Sequence, residues 1–264
     1  MCVFNPFFNL VRADSETILI LKFICSFIWK SWWPPKLGII IIISCIQLIF
    51  FLSDEIIKKV DSTNSTTGPI AELFTYDPMK TYEFWRYLTY MFVHTGYAHL
   101  FENVVFQIII GNFLEKNQGC WSVLVIYFAG VVAGSLGTSI INPTRSVMGG
   151  SGGGFSILTA CIPAIVMNWK EKCLSKTQLA MLFSVIVLVV GFVMYIIQDW
   201  FKETAHVAHF FGALAGFLVG ILVLEDLTNT DTGKIIWYIA LAVIVVLAGI
   251  YWNISCRDCF FKQI

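Results

Sequence analysis

Ser151 lies in Gly149-Gly150-Ser151-Gly152 at the mouth of one apolar segment, and His209 lies near the start of another that also follows a polar loop. A serine hydroxyl becomes an effective nucleophile when a neutral imidazole takes its proton, so this pair has the chemistry of a hydrolase. His99 and Asn103 stand four residues apart on a third apolar segment and so share one helix face. Each residue also has a plainer reading. A serine in an apolar helix commonly bonds a carbonyl one turn back, and a lone histidine can simply tie helices together. His94 and His206, at the edges of their segments, suit water-facing or loop-bracing roles.

The elements that must position these groups belong to a membrane. Of 264 residues, 58% are hydrophobic and only 13% charged, with a mean hydropathy of +0.78. Soluble domains carry about a quarter charged residues, and one soluble core of this size needs far more polar surface than this chain supplies. The 17 basic and 17 acidic residues balance, which argues against a nucleic-acid partner. The eight cysteines are scattered. Cys45 and Cys161 read as small buried hydrophobes, and Cys256-Arg257-Asp258-Cys259 is too little for a zinc site. Arg12, Asp14 and Glu16 ahead of the first apolar stretch argue against a secretory signal.

Seven stretches have membrane length: 37–53, 96–114, 120–140, 151–168, 178–198, 205–224 and 235–252. The stretch from Ile18 to Trp29, with Lys22 and Lys30 and a Pro34-Pro35 break after it, reads as an interfacial helix. The expected organisation is a short cytosolic N-terminus (1–35), a membrane domain (36–225) with a long first loop (54–85), and a seventh span with a short tail (226–264). With a cytosolic N-terminus, nine Lys/Arg fall on the cytosolic side and the remaining eight outside, a slight bias that Lys170, Lys172 and Lys176 concentrate in one short loop. The glycosylation acceptors Asn64-Ser65-Thr66 and Asn253-Ile254-Ser255 both fall outside in that topology.

In this arrangement the second, fourth and sixth spans all enter from the outer side. His99, Asn103, Ser151 and His209 then lie within roughly 10 Å of one surface, at about 1.5 Å per residue. Intramembrane polar residues are functional candidates by default. Gly212, Gly216 and Gly220 form a small-xxx-small face one turn after His209, and Gly149, Gly150, Gly152, Gly153 and Gly154 surround the serine. Backbone-to-backbone packing of the fourth and sixth spans would bring the two residues together.

These residues resemble the rhomboid family of intramembrane serine proteases, and within it the animal secretory-pathway branch. Gly149-Gly150-Ser151-Gly152 matches the family's Gly-x-Ser-Gly, and Ala208-His209 with Gly212 and Gly216 matches its Ala-His-x-x-Gly-x-x-x-Gly. His94, His99 and Asn103 match His-x-x-x-x-His-x-x-x-Asn, and Trp85-Arg86 matches the pair that ends the first loop. Gly111 to Glu115, Gly119, Tyr127 to Gly130 and Gly134 to Thr138 resemble the same branch. Four motifs in order on alternate spans are far more specific than any one of them.

The resemblance implies an all-α, polytopic six-helix bundle plus one C-terminal span. It implies a Ser151–His209 dyad, with the Ser151 backbone N–H, His99 and Asn103 stabilising the oxyanion. Phe155 stands where many active members carry a tyrosine whose ring stacks on the histidine, so the stacking surface remains and the hydroxyl does not. The implied substrates are single-pass transmembrane proteins, cut near their outer membrane boundary. Lipid is the surrounding partner, the oligomeric state is open, and the compartment is Golgi, plasma membrane or endosome. No metal or organic cofactor is implied, since the His/Asn/Ser set lacks the acid or thiol of a zinc shell. The rival reading is a catalytically inactive rhomboid-like chaperone or trafficking receptor that binds membrane helices without cutting them.

Overall fold

The computed structural model describes residues 38–60, 67–167, 205–224 and 235–246. The expected interfacial helix, Asn64, the 178–198 span and the C-terminal tail lie outside the described residues. The described elements are helical. Their one extended pairing is an isolated antiparallel bridge, in which Tyr76 and Val147 exchange two backbone hydrogen bonds of 3.0 Å.

Helix α1 (Ile39–Val60) buries Ile40, Ile43, Ser44, Gln47, Phe51 and Asp54, one face at helical spacing. Its opposite face leaves Ile42, Leu48, Ile49, Leu52 and Ile56 exposed. Polar residues inside and aliphatic residues outside are the reverse of a soluble helix and fit a lipid surround. Hydropathy places the end of this span near residue 53, yet the helix runs seven residues further. A Glu55–Lys58 ion pair and the basic pair Lys58 and Lys59 in the last turn favour that extension. Cys161 is buried as expected, whereas Cys45 lies on the exposed face of α1, because its position falls between the residues of the buried stripe.

The first loop is built on capped short helices. Asp54 accepts the backbone N–H groups of Ile70 and Ala71 at 2.8 Å each, satisfying two orphan donors of α2 (Pro69–Phe74). Arg86, only 3% exposed, donates to the Glu72 and Thr75 carbonyls at 2.7 and 2.8 Å and pairs with Glu83. That guanidinium ties α2 to α3 (Arg86–Thr89). Trp85 stays half-exposed, its indole N–H reaching the Leu73 carbonyl at 3.4 Å.

Helix α4 (Tyr97–Gln118) is as long as α1 but less apolar, because Asn103, Gln107, Asn112 and Glu115 line its buried face. Glu115 reaches across to accept the Ile40 N–H at 2.9 Å, capping the start of α1. Gly119, with φ +82, reverses the chain directly into α5 (Cys120–Ile141). Helix α6 (Ser151–Met167) follows a second loop, residues 142–150, α7 (Ala205–Val223) comes later in the chain, and α8 (Ile235–Val246) packs on α7 through Leu218, Ile221 and Ala240.

Three of the described helices, Ile39–Val60, Cys120–Ile141 and His206–Val223, are long and apolar enough to cross a membrane, and Ser151–Ile165 and Ile235–Val246 are shorter apolar helices. Glycine sets how closely they pack. A Cβ at Gly216 would overlap the Ser156 backbone, one at Gly212 would overlap the Gly152 carbonyl, and one at Gly137 would overlap the Phe211 ring. Thr159 Oγ1 then bonds the Ala213 carbonyl at 2.6 Å across the same crossing. Gly216→Leu should therefore force α6 and α7 apart, at a cost of at least about 1–3 kcal/mol. Thermal unfolding of the detergent-purified protein checks this, and an unchanged midpoint would refute it.

Candidate active site

Ser151 is the first residue of α6, and its backbone follows from the glycines before it. Gly149 has φ +110, a left-handed conformation that side chains resist, and donates its N–H to the Tyr90 carbonyl at 2.9 Å. A Cβ on it would also lie 2.8 Å from two atoms of the His99 ring. Gly150 stands just ahead of the helix, its carbonyl accepting the Gly154 N–H at 3.0 Å. In a trans peptide the N–H opposes the C=O, so the Ser151 N–H points back out of the helix start, where it has no intrahelical acceptor.

His209 lies in the second turn of α7, and its Nε2 is 2.7 Å from Ser151 Oγ. The close crossing at Gly152 and Gly212 brings the two helix starts together. Phe155, one turn after the serine, lies against the imidazole with ring centroids 4.6 Å apart and planes at 35°. Phe106 of α4 backs Phe155 in turn at 5.5 Å.

His99 and Asn103 occupy the first turns of α4 beside Gly149. Thr95 Oγ1 is 3.2 Å from His99 Nδ1, which orients the ring. Asn103 Nδ2 donates to the His99 carbonyl at 2.8 Å and leaves one further N–H, while its Oδ1 is buried without a hydrogen-bond partner among the described residues. The orientation of the amide follows from that carbonyl, which can only accept.

The remaining predicted residues sort by place. His94, in the loop ahead of α4, is buried and packs edge-on to His99 at 5.1 Å. Burial, with His99 beside it, pushes its imidazole down to about 3, so it stays neutral at physiological pH. A water-facing role for His94 or His206 does not hold: both are under 10% exposed. Glu102, beside Asn103 in the sequence, is exposed. Trp85 and Arg86 shape the first loop, and Gly216 belongs to the α6–α7 crossing.

Sequence reasoning passed over a buried polar network formed by Ser44, Gln47, Gln107 and Tyr127, together with the Glu115 and Asp54 caps. The signal was available. Asn103, Gln107, Gly111 and Glu115 recur every fourth residue on one face of α4, and Ser44 and Gln47 share the buried stripe of α1. Such polar residues on an apolar helix face inward.

A family model for the rhomboid domain matches residues 81–226, more than half of the 264. The chain is 31% identical to human Rhomboid-related protein 3 over 235 residues, covering 84% of this chain and 57% of the relative. It is 30% identical to mouse Rhomboid-related protein 2 over 231 residues, covering 84% of this chain and 76% of that one. It is also 28% identical to Inactive rhomboid-related protein 2 of Caenorhabditis elegans, across 83% of this chain and 62% of the relative. The chain thus spans little more than half the length of the human protein. The domain match and the shared length with the mouse protein carry the conclusion: this chain belongs to the rhomboid family, as an animal-like member of it.

Proposed function

We propose that the protein is an intramembrane serine endopeptidase that cleaves single-pass transmembrane proteins near their outer membrane boundary. The observation carrying this reading is the 2.7 Å separation of His209 Nε2 from Ser151 Oγ at the mouths of two adjacent helices. As Oγ attacks the substrate carbonyl, its proton passes to Nε2, and the carbonyl oxygen takes up the negative charge. The Ser151 N–H and the unused Asn103 N–H are donors suited to that oxygen. A Thr95 hydroxyl donating to His99 Nδ1 would leave the His99 proton on Nε2 as a third.

Collapse of the intermediate breaks the C–N bond, and His209 gives its proton to the leaving amine. Water then attacks the acyl-enzyme, with His209 again taking the proton and returning it to Oγ. Phe155 is assigned to holding the imidazole by ring contact. Intact helices bury their peptide bonds in their own hydrogen bonds, so the substrate must unwind locally, which favours small or helix-breaking residues at the cut.

The proposed topology has seven spans, a cytosolic N-terminus, a luminal or extracellular C-terminus and residence in the secretory pathway, with Asn64 as a glycosylation acceptor. It follows from the placement of Lys170, Lys172 and Lys176 and of Asn64 on opposite sides. A protease-protection assay on sealed microsomes should leave residues 54–85 shielded. Digestion of that loop from the cytosolic side would reverse the topology and the cleavage side.

The competing reading is a receptor that binds membrane helices without cutting them; one relative is named an inactive rhomboid-related protein. Ser151→Ala should abolish cleavage of a single-pass model substrate while the protein stays folded. Wild-type turnover by that variant would end the protease reading, and a folded wild-type chain that binds but never cuts would favour the receptor. Asn103→Ala should lower kcat about 10²–10³-fold with little change in KM, because its amide meets charge formed only in the transition state. A rise in KM with kcat unchanged would move Asn103 to substrate binding.

A further inference from the structure

We infer that Gln47, Gln107 and Tyr127 are positioning residues that hold the Gly150–Ser151 peptide in register with His209, an inference that rests on Ser151 being the nucleophile. These side chains come from α1, α4 and α5, and each is at most 1% exposed. Gln47 Nε2 donates to the Met91 carbonyl at 2.9 Å and approaches Tyr127 Oη at 3.4 Å. Gln107 Nε2 donates to Gln47 Oε1 at 2.6 Å and to Ser44 Oγ at 2.7 Å, and Ser44 passes its own proton to the Ile40 carbonyl at 2.8 Å. The Met91 carbonyl can only accept, which fixes the orientation of Gln47 and, through it, that of Gln107.

The circuit ends at the nucleophile loop. Tyr127 has one phenolic proton and two acceptors, Gln107 Oε1 at 2.9 Å and the Gly150 carbonyl at 3.3 Å. A Cβ at Gly150 would lie 2.5 Å from Gln47 Nε2 and 2.7 Å from Tyr127 Oη, and one at Gly153 would lie 2.6 Å from the Tyr127 ring. The phenol therefore lies against the first turn of α6 on both sides of Ser151 in sequence. The residue before the serine touches the polar network directly, with no aliphatic layer between. Burying two carboxamides and a phenol among apolar helices is unfavourable unless every donor is satisfied, and here each one is. Aliphatic side chains would bind the three helices at lower cost but would remove the phenol's contact with the Gly150 carbonyl, leaving the Gly154 N–H alone to set the direction of that peptide and of the Ser151 N–H.

The test uses the full chain in detergent and a fluorophosphonate probe. In this reaction Ser151 Oγ bonds to phosphorus, fluoride leaves, and the hydroxyl proton passes to His209. The rate of labelling reads nucleophile geometry without a peptide substrate. Tyr127→Phe removes one oxygen and keeps the ring, but leaves one Gln47 N–H without its acceptor, so the unfolding midpoint should fall slightly and rates are taken per folded molecule. We expect labelling per folded molecule and kcat to fall together by roughly tenfold, with KM held. Gln47→Met should do the same through the neighbouring link. Wild-type labelling rates in a folded Tyr127→Phe variant, or a loss no larger than the unfolded fraction, would overturn the inference and leave the dyad standing. A wild-type chain that is never labelled would instead remove the nucleophile assignment on which the inference rests.

Discussion

The crossing of α6 and α7 is the constraint on which the candidate site depends. Ser151 and His209 are 58 residues apart in the chain, and no local structure relates them. They meet because Gly212 presses on the Gly152 backbone and Gly216 on the Ser156 backbone, with the Thr159–Ala213 hydrogen bond closing the seam. Between helices in lipid there is little hydrophobic drive, so close van der Waals contact and interhelical hydrogen bonds must hold the pair. A spacing wider by one methyl group would take Nε2 out of hydrogen-bond reach of Oγ.

The other helices act on that pair from outside. Helix α5 presents Gly130 to Ser156 and Gly134 to Ala208, so it seats against α6 and α7 together. Ser156 Oγ bonds the Ile126 carbonyl at 2.6 Å, and Tyr90 Oη bonds the Val131 carbonyl at 2.7 Å, which joins the segment between α3 and α4 to the same helix. The Tyr76–Val147 bridge ties the first loop to the loop before α6, and Gly149 in that second loop donates to Tyr90 in the segment before α4. The nucleophile is thus held by hydrogen bonds to backbone carbonyls, which have few ways to rearrange.

The polar residues divide into two kinds. Arg86, Asp54 and Glu115 satisfy backbone groups at helix or loop ends, where unpaired donors and acceptors are costly. His99, Asn103, Ser151 and His209 instead gather around the start of α6. Asn103 carries a buried oxygen without a partner and a spare N–H, an arrangement that a purely structural residue would resolve. That contrast, with the partial exposure of His99, Ser151 and His209 against the burial of Arg86, Asp54 and Glu115, separates a candidate site from scaffolding.

Much of the architecture was legible in the amino-acid order. Apolar runs of membrane length located α1, α5, α6 and α7, and the glycine spacing in α7 marked the face that meets α6, because both follow from local composition and helical period. The motif around Ser151, the His99–Asn103 pair and His209 were legible for the same reason. The extension of α1 beyond residue 53 was not, since hydropathy ends where the charged turn begins while hydrogen bonding continues. Nor was the burial of His94 and His206, which depends on what folds over them. The network of Gln47, Gln107 and Tyr127 was decided only in three dimensions. Each residue alone is a polar interruption of an apolar helix, and only helix rotation and register bring the three together against Gly150.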